Sequence, residues 1–486
     1  MKARTLLLAA ALATWPVFSA VSASPWAEVG DNQLRSDVEL LQAAGVIDTI
    51  TTHWPLPWGS LTAALAQAPL AGQPASVRAA AARVIARAEA ATGHGWHASA
   101  YADGTNQPSV VYGFDGMGRG KGEAQLSLEG IGDGIAGRVS LGAFSQDFHG
   151  RSVKLMPEGT YFSADVAGAR IYGGYLDHWW GPGQVSALSL SNNGRPMPQV
   201  GIERSSTQAS SLPVLNWLGP WQVEFLLGYM DGPRLQRDTY YNALRFTFHP
   251  LPGLEIGAAR TEMFCGQGHP CAPLRDYFDF TNDPAHSNNT NDQGEFDIKY
   301  SGLLGTTPFQ VYMQVMNEDS SPIVQSDSSH LFGASFFVPT RGNAVKLTAE
   351  FTDSIATHDI FSFGDDHYGS SYNNNSYLDG MRYRGRTLGF SLDSDSTLLS
   401  LQGSWTGPGG RFYELSFHHA DIGNSRAPAG SNIVSATPVQ VNMGEARVSL
   451  PWNGVRFDLA GRLQDDQPRP HSGFAAAIEL AMRADL

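Results

Sequence analysis

The sequence predicts an all-β transmembrane barrel, antiparallel and of about eighteen strands, preceded by a small N-terminal α-helical domain. Three observations predict it. The hydrophobic period changes from helical to strand-like near Trp96 and stays strand-like to Leu486. The apolar face recurs on nearly every strand, so no second layer is left to cover it, as a soluble sandwich or propeller would need. No segment after the first residues supplies the ~20 successive apolar residues of a spanning helix, and mean hydropathy is only −0.21.

The elements follow in chain order. Lys2 and Arg4, the apolar run 6–13 and the small residues Val21, Ser22 and Ala23 read as a signal peptide over residues 1–23, with Ser24 as the mature start. Residues 24–94 read as the helical domain. Leu34, Val38 and Leu41 recur at helical spacing before Gly45. Ser60 is placed to cap a short second helix. Val77, Ala81, Val84, Ala88 and Ala91 form one face of a third. Residues 95–486 then alternate. Ala124, Leu126 and Leu128 oppose Glu123, Gln125, Ser127 and Glu129, while Phe296, Ile298 and Tyr300 oppose Glu295, Asp297, Lys299 and Ser301. The last strand sets Phe474, Ala476, Ile478, Leu480, Met482, Ala484 and Leu486 on one side, as outer-membrane barrels end, with Leu486 where Phe is usual.

Short turns alternate with long polar loops at 264–293, 354–380 and 421–438. Counting back from Leu486 puts the turns and the helical domain in the periplasm and the long loops outside the cell. The alternation fails near Asp393. Either a strand hides in 354–380, or residues 382–392 belong to a loop.

Charge and motifs exclude several functions. With Lys2 and Arg4 removed, 32 basic residues become 30 against 46 acidic, so a net charge of −14 becomes −16. Non-specific nucleic-acid binding needs the opposite sign. No zinc-hydrolase or nucleophile-elbow motif occurs, and the glycine run 116–122 lacks P-loop spacing. No metal or other cofactor is expected. Cys265 and Cys271, the two cysteines of an exported chain, are expected to form a local disulfide. Inward faces carry charges of both signs, among them Glu123, Glu224, Arg245, Glu295, Glu350, Arg447, Arg462 and Glu479.

Two features suit glycan binding. Arg382, Arg384 and Arg386 alternate, so one strand would aim three guanidinium groups to one side, toward carboxylates or phosphates. Pairing with lumenal acids is the structural alternative. Tyr240, Tyr241, Tyr277, Tyr368, Tyr372 and Tyr377 are interleaved with Asp and Asn, a composition that fits either sugar stacking or a membrane-interface girdle.

A longer pattern runs Gly-Tyr-Leu-Asp177-His-Trp179-Trp180-Gly181-Pro182-Gly, then Ser-Asn192-Asn193-Gly-Arg195-Pro196-Met-Pro to Glu203 and Arg204. Together with Ser24-Pro25-Trp26, the run 34–48 and the His53-to-Trp58 turn, it resembles the Wzi family of capsule assembly proteins over essentially the full mature length. The resemblance implies a barrel of about eighteen strands, a periplasmic helical bundle and a lectin that holds capsular or other surface polysaccharide. It implies no enzymatic activity. Its tryptophans and glycines read as a rigid bend, while Asp177, Asn192, Asn193 and Arg195 are candidate polar contacts. Expected partners are that polysaccharide and outer-membrane lipid, with the protein a monomer. A porin-like channel is the alternative. A lectin predicts a lumen blocked by ion pairs and loops, and a porin predicts a continuous polar path.

Overall fold

The computed structural model describes residues 25–93, 95–145, 153–271, 290–318, 327–340, 342–468 and 473–486. The signal peptide, Ser24 and Tyr277 lie outside the described residues. Three helices come first among them: α1 (Asn32–Ala43), α2 (Trp58–Ala66) and α3 (Ala75–Ala91). The Asp31 side chain caps α1 by accepting from the Leu34 amide at 2.9 Å. Ser60 does not cap α2. That helix starts at Trp58 after Pro57, with no side-chain cap, and the Ser60 hydroxyl instead accepts from the Thr207 amide. Leu34, Val38, Leu41, Leu61, Val77, Ala81 and Val84 are buried together.

The barrel strands are β1 (Gly95–Thr105), β2 (Gly122–Gly132), β3 (Ile135–Ser145), β4 (Tyr161–Val166), β5 (Ala169–Gly174) and β6 (Gln199–Arg204). Then come β7 (Trp221–Tyr229), β8 (Tyr240–Leu251), β9 (Leu254–Phe264), β10 (Asn291–Leu304), β11 (Thr307–Glu318) and β12 (Ser328–Pro339). The last six are β13 (Ala344–Thr357), β14 (Thr397–Thr406), β15 (Phe412–Ile422), β16 (Val439–Trp452), β17 (Val455–Gln464) and β18 (Ala475–Asp485). These eighteen strands pair in sequence order, each antiparallel to the next, and β18 closes on β1 through Glu479↔Thr105 to Asp485↔Ser99. Two short strands, Val153–Met156 and Asp366–His367, extend the wall beside β3 and β13. Closure leaves no unpaired edge, the condition for strands to cross hydrocarbon.

The pleat sorts the side chains as the alternation requires. Leu126, Leu128, Phe296, Ile478 and Leu480 point out, and Leu480 is 51% exposed beside Glu479 at 2%. A continuous belt of exposed aliphatic side chains therefore faces lipid, and acids and bases line the lumen. One end, the turn end, carries connections of two to five residues apart from 205–220, and it holds the helices. The other, the loop end, carries the long connections. Residues 358–396 form one such loop, so 382–392 contribute no barrel strand. Arg382–Tyr383 and Arg386–Thr387 pair there as a small hairpin instead.

Candidate functional site

The lumen is filled by chain that folds in from the loop end. Residues 176–197 are buried throughout except for partly exposed Asp177. Trp179 and Trp180 pair antiparallel with Trp54 and His53, joining two sequence motifs far apart in the chain. Gly181 has φ 112°, and a Cβ there would meet the Gln314 side chain, so only glycine makes the bend. The Pro182 and Gly183 carbonyls accept from Arg35 of α1 at 3.0 and 2.8 Å. Glu350 accepts from three consecutive amides, those of Gln184, Val185 and Ser186, at 2.6–3.0 Å. That arrangement stabilises a buried carboxylate without a cation.

The predicted motif contacts are spent inside this plug. Asp177 pairs with Arg119 at 2.6 Å. Asn192 donates to the Phe114 carbonyl, and Asn193 to the Thr387 carbonyl. Arg195 bridges Glu123 at 2.7 Å and Glu158 at 3.1 Å, and Pro196 is buried beside it. The segment 106–121, which includes most of the glycine run 116–122, also folds inward. Its Gly118 amide donates to Glu479, and its Asp115 meets Arg447 at 2.5 Å. Lumenal charges are paired likewise, Arg245 with Glu295 and Asp297 at 2.7 Å each, and Arg462 with Glu479 at 2.6 Å.

The three alternating arginines do not share a face. Arg384 and Gly385 both have positive φ and form the turn of the hairpin, which puts Arg382 and Arg386 on opposite strands. Arg382 is buried against Asp393 at 2.8 Å. Arg386 donates to Asn193 and to the Arg119 carbonyl, over the Tyr112 ring. Arg384 alone reaches the loop-end surface, 2.8 Å from Asp231.

The tyrosines divide as well. Tyr372 and Tyr377 are fully buried, donating to the Leu188 and Cys265 carbonyls. Tyr241 is buried on the lumenal face. Tyr240 points outward between Tyr229 and Phe264, at centroid distances of 5.3 and 5.8 Å, so it belongs to a girdle. Tyr368 remains open to a ligand. It donates to Asp366 at 2.7 Å, and exposed Arg426 lies 5.8 Å from its ring. Cys265 and Cys271 are bonded, with Cα atoms 4.2 Å apart, and His269 between them stacks on Tyr377.

The loop end thus offers two constellations, Arg384 with Asp231 and Tyr383, and Tyr368 with Arg426 and Asp366. Asp231, Arg426 and the buried partner Asp393 escape sequence reading. An aspartate just after the apolar run 388–392 is the one signal that an arginine partner was required.

Comparisons with known proteins agree with this geometry. The profile of the family described as "Capsule assembly protein Wzi" matches residues 93–464. The solved structure of Escherichia coli Wzi, an outer-membrane protein described as a carbohydrate-binding β-barrel involved in group 1 capsule assembly, superposes with a TM-score of 0.82. Its sequence is 21% identical, and the alignment covers 96% of this chain and 100% of that one. An uncharacterized 55.8 kDa protein of the Klebsiella pneumoniae cps region is 25% identical over 311 residues, 63% of this chain. The match spans 60% of that relative's length. With the profile spanning well over half its length, the chain belongs to the Wzi family of capsule assembly proteins.

Proposed function

We infer that this protein is a non-conducting outer-membrane lectin that binds surface polysaccharide and serves capsule assembly or attachment. The helical domain and turn end would face the periplasm, and the loop end the exterior. The observation that carries this reading is the lumen: the residues of the family pattern are spent filling it, which suits a binding platform better than an open solute path. The Escherichia coli protein's carbohydrate binding supports the ligand class. The family is one of capsule-assembly barrels rather than of enzymes, and we propose that bound glycan is held and not cleaved. The lumenal carboxylates of Glu295, Asp297, Glu479 and Glu350 are buried, the first three against arginines and the last against backbone amides, away from a polymer at the mouth.

Arg384, Tyr368 and Arg426 are the proposed glycan contacts, with Asp231 as a hydroxyl acceptor. Binding of purified, folded protein to a panel of neutral and acidic surface polysaccharides tests the reading. Saturable binding to at least one is expected. No binding across the panel, together with sustained conductance steps in a planar bilayer, would replace the lectin by a channel.

A further inference from the structure

The connection between β6 and β7 differs from every other at the turn end. It runs over residues 205–220, where the others take two to five. No ionisable side chain occurs from Ser205 to Val223, although Arg204 and Glu224 bracket the stretch. Leu212, Val214 and Trp217 stand exposed on its crest, Val214 at 80%. An exposed apolar cluster of this kind marks a contact surface.

Its position identifies what it contacts. The Trp217 ring meets Phe248 edge-on at 6.0 Å, Phe248 stacks on Phe246 at 5.5 Å, and Phe246 lies 6.0 Å from Trp221. These last three rings point outward from the turn-end stretches of β7 and β8. The same rim carries the outward pairs Trp405–Tyr413 and Trp452–Phe457. A ring of aromatics at strand ends marks the membrane–water interface. Trp217 continues that ring beyond the strands. The base of the loop is fixed: the Thr207 amide donates to Ser60 at 2.9 Å, its carbonyl accepts from the Trp221 amide, and Leu218 is buried. The crest is therefore held outward at girdle depth.

We propose that residues 208–218 form a wedge seated in the phospholipid leaflet at the turn end, with Leu212, Val214 and Trp217 as its inserted side chains. A soluble protein partner fits less well, because the stretch offers no charged side chain to set around its apolar crest. The wedge continues the lipid-facing belt without a break. Through Ser60 and Thr49, which contact Thr207, it also fixes the helical domain against the membrane surface.

The test uses the full chain in phospholipid vesicles. Because both native cysteines are in the disulfide, Val214→Cys adds one thiol for an environment-sensitive fluorophore. Ala71→Cys, exposed between α2 and α3, gives a reference. Heat-modifiable gel migration checks folding of each. The probe at position 214 should lose most of its emission to lipids brominated along their acyl chains and resist aqueous iodide, and the probe at 71 should do the reverse. Iodide access at 214 equal to that at 71 would overturn the wedge. So would a probe at 214 shielded from both quenchers, which would assign the crest to a protein contact or a second copy.

Discussion

Arg382 gives its guanidinium to Asp393, to the Ser431 carbonyl and to the Asp379 carbonyl, so none of it is left for a ligand. Arg382→Gln strands a buried carboxylate and should cost about 3–5 kcal/mol of loop stability. Protease should then cut within 358–396, and neutral and acidic glycans should be lost together. Arg384→Gln should leave the loop intact and weaken only an acidic glycan, roughly three- to tenfold or about 0.7–1.4 kcal/mol. That loss should shrink with salt, because surface charge is screened over ~8–10 Å. Asp231 competes for Arg384, so Asp231→Asn should strengthen acidic-glycan binding. Titrations at low and high salt check both signs, and an acidic glycan indifferent to both changes would move the site to Tyr368 and Arg426. The arginines were legible as a cluster. Their faces were not, because period-two reasoning holds only on a strand, and the positive φ of Arg384 turns the chain between them.

Among the elements, α1 meets both barrel and plug through the carboxylate of Glu39, beside bonds from Asn32 to Glu414 and Gln42 to Glu255. Glu39 accepts from Arg35 at 2.9 Å, Lys346 of β13 at 2.6 Å, Gln310 of β11 at 3.1 Å and Gln184 of the plug at 2.9 Å. Burial opposes its ionisation, but Lys346, Arg35 and Lys299 outweigh that and hold it well below the ordinary value of 4.5. A lowered carboxylate contributes stability that is full above that ordinary value and declines as pH falls toward the folded one. Release of the helical domain, read as protease access to residues 25–93, should therefore rise on acidification below about pH 4.5. Glu39→Gln should release it at neutral pH, costing about 3–5 kcal/mol by leaving Arg35 and Lys346 uncompensated. Unchanged protection in that variant would show that the domain is seated by its other contacts, such as those of Asn32, Thr52 and Ser60. The helices and strands were legible because each repeats a period over many residues. Glu39 was hidden because three of its four partners lie more than a hundred residues away.

For the whole molecule, the fold class was legible because a closed sheet writes the same alternation on every strand. A blocked lumen followed only from the lectin that the resemblance implied, and the segment that fills it was not legible, since plug and wall are long-range partners: Glu350 meets amides 164–166 residues away. The intact protein should give no sustained conductance steps in a planar bilayer. Gly174 and Gln199 are register partners, so a short Gly-Ser linker can replace residues 176–197 without parting β5 from β6. That variant, once shown to fold by heat-modifiable migration, should conduct. A closed variant would mean that the loops 106–121 and 358–396 seal the bore by themselves.

The same segment gives the molecule a mechanical property. Its Pro182 and Gly183 carbonyls hold Arg35 of the helical domain. Ser191 and Asn193, farther along, hold Leu388 and Thr387 of the hairpin that presents Arg384. Tension on a polymer caught at the mouth would run down this strut into the far side of the bilayer and sideways through Glu350 into the hoop of strands. A loop tied only at its own stem would peel one bond at a time. Here many bonds share the load, so a capsule dragged by flow would strain the whole barrel before any single loop gave way.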